Sequence, residues 1–200
     1  MLLLASRSPQ RALLLERAGI RFRVIASACD EETIIHPNPQ MLALERARAK
    51  AQGAELDAGN GGAVILGADT VVAFGTTVFG KPTDRADAVR ILSALQGTTH
   101  SVFTGHCCLA FGADGKPAGE AARIAVARIT MRQLTMDEIH AYVDSGESDG
   151  RAGAYAIQET GDRFVVDLQG GWDTVVGLNV AMVVQLHQEL TDRVPDGGRS

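Results

Sequence analysis

Aromatic side chains are scarce in this sequence, at 4% of 200 residues. A core built without them is aliphatic, and little is left for stacking single-stranded bases. An excess of positive charge is missing too. The formal net charge is −5, which argues against a general nucleic-acid binder, whose affinity comes from neutralising phosphates. A small anionic ligand held by a few local cations stays compatible with it. Only three cysteines occur, Cys29, Cys107 and Cys108. Neighbours in a strand point to opposite faces, so Cys107 and Cys108 are poor partners for each other or for one metal. Buried thiols in a reducing compartment are expected. Long hydrophobic runs are absent as well. Met1 to Leu4 are apolar, but Ser6, Arg7 and Arg11 break that run too early for a signal peptide, and no stretch approaches a membrane span. The expected location is cytoplasmic, with neither membrane nor nucleic acid as partner. The five histidines show no metal spacing, and no Gly-x-Ser-x-Gly elbow, zinc-ligand pair or dinucleotide fingerprint appears.

What is present fits one α/β domain over residues 1–193, built as two lobes around a cleft, with 194–200 as a flexible tail. Leu2 to Ala5 reads as a buried strand. Ser8 as N-cap and Pro9 as first helical residue open a helix closed by Gly19, with Leu14, Leu15 and Ala18 on its apolar side. Arg21 to Ala26 suits a strand. Asn38 and Pro39 start a helix to Gly53, in which Arg46 and Lys50 stand one turn apart. Ala58 to Gly62 is a Gly-rich connector. A strand holds Asp69, a shorter one ends at Phe79, and Asp84 caps a helix ending near Gly97. Thr99 to Phe111 and Arg123 to Gln133 read as long strands joined by a turn. Thr135 to Glu138 is a capping box. A strand pair is expected around Ile157 and Val165, and a last helix over Leu178 to Leu190.

Asp69 is the most informative residue. It interrupts an apolar run from Ala63 to Phe74, where a carboxylate is costly unless it binds a cation or accepts hydrogen bonds. Glu31, in the acidic turn Asp30-Glu31-Glu32, is the second candidate for a magnesium site, since Mg²⁺ needs only one or two carboxylates beside water and phosphate oxygens. Such a triplet is otherwise a solvated face. Ser6-Arg7-Ser8-Pro9-Gln10-Arg11 lies between a strand and a helix N-terminus, where unpaired N–H groups, hydroxyls and a guanidinium favour a phosphate chain. Ser8 as an N-cap alone is the plainer alternative. Gly75 to Lys81 imitates a Walker A loop, but Pro82 follows where that motif needs Ser or Thr. Lys81 can still reach a phosphate as a point charge, or be an exposed turn lysine.

Together these segments resemble the Maf family of nucleoside triphosphate pyrophosphatases. The resemblance runs through Leu3 to Arg11, the acidic turn with Glu31, Ala49-Lys50-Ala51, Gly67 to Val72, Gly80-Lys81-Pro82, Gly97 to Gly105, Tyr142 with Ser145-Gly146-Glu147, Ala152 to Gln158, and Val175 to Leu178. It implies a fold related to inosine triphosphate pyrophosphatases: a long, curved mixed sheet with flanking helices and a central cleft, commonly as a homodimer. It also implies hydrolysis of a nucleoside triphosphate to monophosphate and pyrophosphate, with Mg²⁺ or Mn²⁺. The family's phosphate-loop residues fall on Ser6, Ser8 and Arg11, its acidic residues on Glu31 and Asp69, its lysines on Lys50 and Lys81, and its glutamine on Gln158. Thr70 and Gln158 resemble the branch acting on dTTP and UTP. Gln10 stands where that branch generally has arginine, Gly150-Arg151 where Asp-Lys is usual, and Thr174 and Asn179 where Asn and Pro are usual.

The expected mechanism has Asp69, with Glu31, holding the metal and activating water, while Lys81, Lys50, Arg11 and the serines hold the phosphates. Thr70 and Gln158 would read the base. Two alternatives are a preference for 7-methyl-GTP or modified nucleotides, and a non-catalytic nucleotide-binding regulator of cell division.

Overall fold

The computed structural model describes residues 1–55, 62–112, 114–157 and 160–193. Most of the Gly-rich connector, Gln158 and the tail from Val194 lie outside these. The elements are β1 (Leu2–Leu4), α1 (Pro9–Arg17), β2 (Phe22–Val24), α2 (Pro39–Gln52), β3 (Val64–Phe74), β4 (Thr77–Phe79), α3 (Arg85–Leu95), β5 (Thr99–Phe111), β6 (Pro117–Met131), α4 (Met136–Asp144), β7 (Val165–Gln169), α5 (Trp172–Val176) and α6 (Val180–Arg193). Short 3-10 turns occur at Glu31–Thr33, Ala152–Ala154 and Thr160–Phe164. The architecture is the expected mixed α/β one. Among the described residues, seven strands form a sheet in the order β2-β1-β3-β5-β6-β7, with β4 beside β3. β1 runs parallel to β2 and β3, and the remaining pairs are antiparallel. Among the described residues no helix is long and apolar enough to cross a membrane.

Local chemistry explains most boundaries. Asn38 Oδ1 accepts from the Gln40 and Met41 amides at 2.8 and 3.3 Å, and Asp84 Oδ1 from that of Asp87 at 2.8 Å. Thr135 and Glu138 form the reciprocal capping box of α4. Four expectations fail. β6 begins at Pro117, well before Arg123, because its early Ala and Gly positions carry little strand propensity and are held by pairing with β5. Ile157 is not in a strand. Ala18 is exposed. Ser8 occupies the N-cap position of α1 without side-chain capping; its hydroxyl donates to Gln10 Oε1 at 3.4 Å. The short helix α5 carries no strong sequence signal.

The alternating side chains of the central strands serve two different covers. Leu2, Leu4, Val64, Leu66 and Cys108 pack under α1 and α6 through Leu14, Leu15, Val183, Leu186 and Leu190. Leu3, Ile65 and Cys107 face α2 through Ala47 and Ala51. The adjacent cysteines therefore lie on opposite faces, both buried and unbridged, and burial pushes each thiol up to about 12. Helix α2 sits directly on strand backbone. A Cβ on Gly67 would lie 2.2 Å from the Ala47 carbonyl oxygen, and one on Gly105 2.3 Å from that of Ala43. Only glycine permits this approach.

The strand registers leave an opening. β1 pairs with β3 up to Leu4↔Leu66, with the Ala5 amide donating to Leu66 O at 2.9 Å. β4 pairs with β3 only from Val72 onward. Between them, the β3 edge from Gly67 to Val71 faces neither strand, while its other edge pairs with β5 throughout. Beyond Thr70, the cover on the α1 and α6 face passes to α3 and α4, which pack on Val72 and Val102.

Candidate active site

A cleft of about 470 Å³ lies at this opening. Its polar half is lined by Ser6, Arg7, Ser8, Gln10, Arg11, Ser27, Cys29, Glu31, Lys50, Asp69 and Lys81. Its less polar half holds Val72, Val102, Tyr155, Ala156, Ile157, Val175 and Val176, with Thr70 between the two. Among the described residues that line it, Arg7, Arg11, Lys50, Lys81 and Arg151 stand against Glu31 and Asp69, so there cations outnumber anions in a protein that is acidic overall.

On the α2 face, Asp69 and Lys50 meet because Gly67 and Gly105 let the helix come close. Both side chains are buried, and Lys50 Nζ donates to Asp69 Oδ1 at 2.7 Å. The same ammonium contacts Glu31 Oε2. Lys81 Nζ stands 3.8 Å from Glu31 Oε1 on a largely exposed side chain. Two turns of α2 hold the acidic segment in place. Arg46 donates to Ile34 O at 3.2 and 3.4 Å, and the Ser27 hydroxyl donates to Lys50 O at 2.9 Å. Burial pulls the Glu31 carboxyl upward, but the hydrogen bond and charge of Lys50, with Lys81 and Arg11, leave it below its ordinary value. Cys29 is pushed up by burial, against the pull of Lys50, so it is not an activated thiol.

Asp69 Oδ2 is buried and, among the described residues, has no hydrogen-bond partner. That oxygen is the observation that fits a cation or a water. Among the described residues no group of three or more His, Cys, Asp or Glu is arranged for a metal. Two carboxylates suit a hard divalent ion completed by water and phosphate, rather than zinc.

On the opposite face, Arg11 is also buried. It donates from Nε to Gly177 O at 2.8 Å, from Nη1 to Ser6 Oγ at 3.1 Å, and from Nη2 to Thr70 Oγ1 at 3.3 Å. Burial lowers its pKa, against the attraction of the Asp69 and Glu31 charges. Thr70 also meets Thr104 Oγ1 at 3.1 Å, and Thr104 donates to Thr174 O at 2.7 Å. The Lys81 turn is tied to the far wall by the Gly153 amide, which donates to Gly80 O at 3.1 Å. That wall is held by the Ala156 amide on the Tyr142 hydroxyl at 3.0 Å and by the His100–Tyr155 bond at 2.8 Å. His100 therefore supports structure.

Ser6, Ser8, Gln10, Arg11, Glu31, Lys50, Asp69, Thr70 and Lys81 thus converge on one cleft; Gln158 lies outside the described residues. Sequence reasoning assigned no role to Ser27, Thr104, Gly105 or Gly177. Gly105, an isolated glycine inside a strand pattern, was the available signal for close backbone approach.

Fold and cleft define a mixed α/β protein whose central opening gathers cations around a buried carboxylate. The family model described as Maf-like protein matches residues 1–190. The dTTP/UTP pyrophosphatase of Gloeobacter violaceus is 40% identical over 197 residues, covering 96% of this chain and 97% of that protein. The dTTP/UTP pyrophosphatases of Aquifex aeolicus and Bdellovibrio bacteriovorus are 37% and 40% identical over 188 residues, covering 94% and 92% of this chain and 94% and 96% of their own lengths. The chain belongs to the Maf family.

Proposed function

We propose that this protein hydrolyses nucleoside triphosphates, dTTP and UTP foremost, to the nucleoside monophosphate and pyrophosphate. The carrying observation is the buried Asp69 Oδ2, which has no hydrogen-bond partner among the described residues, in a cleft otherwise rich in cations. The relatives' names supply the substrate class. The phosphate chain occupies the polar half, against Ser6, Ser8, the uncapped start of α1, Arg11 and Lys81. The base lies towards Val72, Tyr155 and Ile157, with Thr70, Gln10 and Gln158 as candidate specificity positions.

Asp69 orients a water and takes its proton as the water oxygen attacks the α-phosphorus. The bond to the β-phosphate breaks, and pyrophosphate leaves with the electron pair. Lys50, Lys81 and Arg11 offset the charge on the leaving group. Glu31 and Asp69 would hold Mg²⁺ or Mn²⁺, which supplies electrophilic stabilisation of the phosphate oxygens. The family resemblance supports a cytoplasmic homodimer, with residues 1–193 as one domain.

The test is pyrophosphate release across dTTP, UTP, CTP, GTP, 7-methyl-GTP and ATP with each metal. Selective release from dTTP and UTP supports the proposal. Preference for 7-methyl-GTP moves the chain to another branch. Silence from a folded protein that binds nucleotide makes it a regulator.

A further inference from the structure

We propose that Thr104 is a positioning residue for Arg11, acting through Thr70, and that Thr70 can only accept hydrogen bonds from a ligand. The inference rests on the triphosphate reading of the cleft, and it follows from counting protons. A threonine hydroxyl has one proton to donate. The partner of Thr104 at 2.7 Å is the carbonyl oxygen of Thr174, which only accepts. The Thr104 proton is therefore committed there. The 3.1 Å contact between Thr104 and Thr70 must then be donated by Thr70. With its own proton spent, Thr70 meets Arg11 Nη2 at 3.3 Å as acceptor. The chain has one direction: Arg11 to Thr70 to Thr104 to the Thr174 carbonyl.

Both ends of this chain are anchored on α5. Thr174 lies within it, and Gly177, whose carbonyl receives Arg11 Nε at 2.8 Å, closes it. Gly177 has φ +125°, and a Cβ there would stand 3.4 Å from Thr70 Oγ1 and 3.5 Å from Arg11 Nε. Thr104 is fully buried and does not line the cleft, so its action on a ligand is indirect. With Nε on Gly177, Nη1 on Ser6 and Nη2 on Thr70, each terminal nitrogen of Arg11 keeps a second N–H that no described residue takes up and that a ligand can use. The relay fixes the plane in which those two N–H groups are presented. Thr70 retains one lone pair and no donor, so it can favour a base edge that donates and has no hydrogen to offer one that accepts.

The test compares Thr104→Val, Thr104→Ser, Thr70→Val and the Thr70→Val/Thr104→Val double variant, each checked for folding by circular dichroism. Thr104→Val should lower kcat/KM for the preferred triphosphate by about tenfold or more, largely through KM, because a hydrogen bond to a charged group is misdirected. Thr104→Ser should recover to within about threefold, since the serine hydroxyl carries the same proton. The double variant should be no worse than Thr70→Val alone, as expected for residues in one network. Additive losses, or wild-type kinetics in folded Thr104→Val, would overturn the relay. The Arg11 Nε–H NMR signal, assigned with Arg11→Lys, reads the relay without turnover. It should shift and exchange faster in Thr104→Val. If wild-type protein hydrolyses no triphosphate, the functional reading fails, and an unchanged Arg11 signal in Thr104→Val would sink the relay on its own.

Discussion

Asp69 and Thr70 are neighbours on one strand, yet they belong to two different kinds of site. Asp69 turns towards α2, where an ammonium and two carboxylates share a largely buried pocket. Thr70 turns the other way, towards α1 and α5, where neutral hydroxyls and carbonyls hold a single guanidinium. The α2 side gathers charge of both signs, and its buried groups depend on one another for neutralisation. The α1 side fixes geometry. Both sides meet at one opening, and in the proposed function the first does the chemistry on a triphosphate that the second helps to orient.

Removing the charge from the α2 side should have the largest effect. Asp69→Asn is expected to fold and to lose about a hundredfold or more in turnover, by loss of general-base function; near-normal pyrophosphate release in that variant would end the assignment. Next comes Gly105→Ala. Its Cβ would meet the Ala43 carbonyl at 2.3 Å, so α2 must move, at a cost of about 1–3 kcal/mol for overpacking. Urea unfolding should read the loss, and activity should fall further than stability alone explains, because Lys50 moves with the helix. An unchanged midpoint would show that α2 is not seated on β5.

Lys50→Gln should act in a narrower way. The ammonium now sits between the two carboxylates proposed to hold the metal. Its removal is expected to tighten Mn²⁺ binding without nucleotide by about tenfold, on the order of one desolvated charge interaction. Electron paramagnetic resonance of free Mn²⁺ measures this, and equal affinity in both proteins would mean that lysine and metal do not compete.

Acid should separate the two sides with the smallest effect. On the Thr70 side, burial, aided by Arg11, lowers His106 from 6.5 to about 4, and its Nε2 accepts the Asn179 amide at 2.9 Å. The unfolded chain takes that proton first, so this contribution is whole above pH 6.5 and declines from there to about pH 4. Glu31 behaves oppositely in origin: its lowered pKa contributes stability above its ordinary value of 4.5, lost only as pH falls further. Burial lowers His100 to about 4 as well, so thermal melts from pH 7 to 3 should show a combined histidine decline first, and His106→Gln should make it shallower while leaving the His100 share. A His106→Gln curve superimposable on the wild type would contradict that origin.

Much of the site was legible in the chain because its chemistry is local. A carboxylate in an apolar run, two hydroxyls and an arginine before a helix start, and a Gly-Lys-Pro turn each carry a physical reason within a few residues. Helices with side-chain caps, at Asn38, Asp84 and Thr135, were legible for the same cause. Ser8 misled because a residue that favours capping can spend its hydroxyl on Gln10 instead. The start of β6 and the segment at Ile157 misled because pairing and tertiary hydrogen bonds, rather than propensity, decide their conformation.

The sequence by itself determined that this is an α/β protein with an aliphatic core, one carboxylate in an apolar run, and cationic loops of the composition that suits phosphate. Those follow from composition, period and the cost of burying charge. Only the tertiary structure decided that Lys50 lies between Glu31 and Asp69, that one edge of β3 faces neither β1 nor β4 between Gly67 and Val71, and that the Thr70 and Thr104 hydroxyls meet. Each depends on which strand ends where and how closely a helix approaches, and such distances are set by residues far apart in the chain.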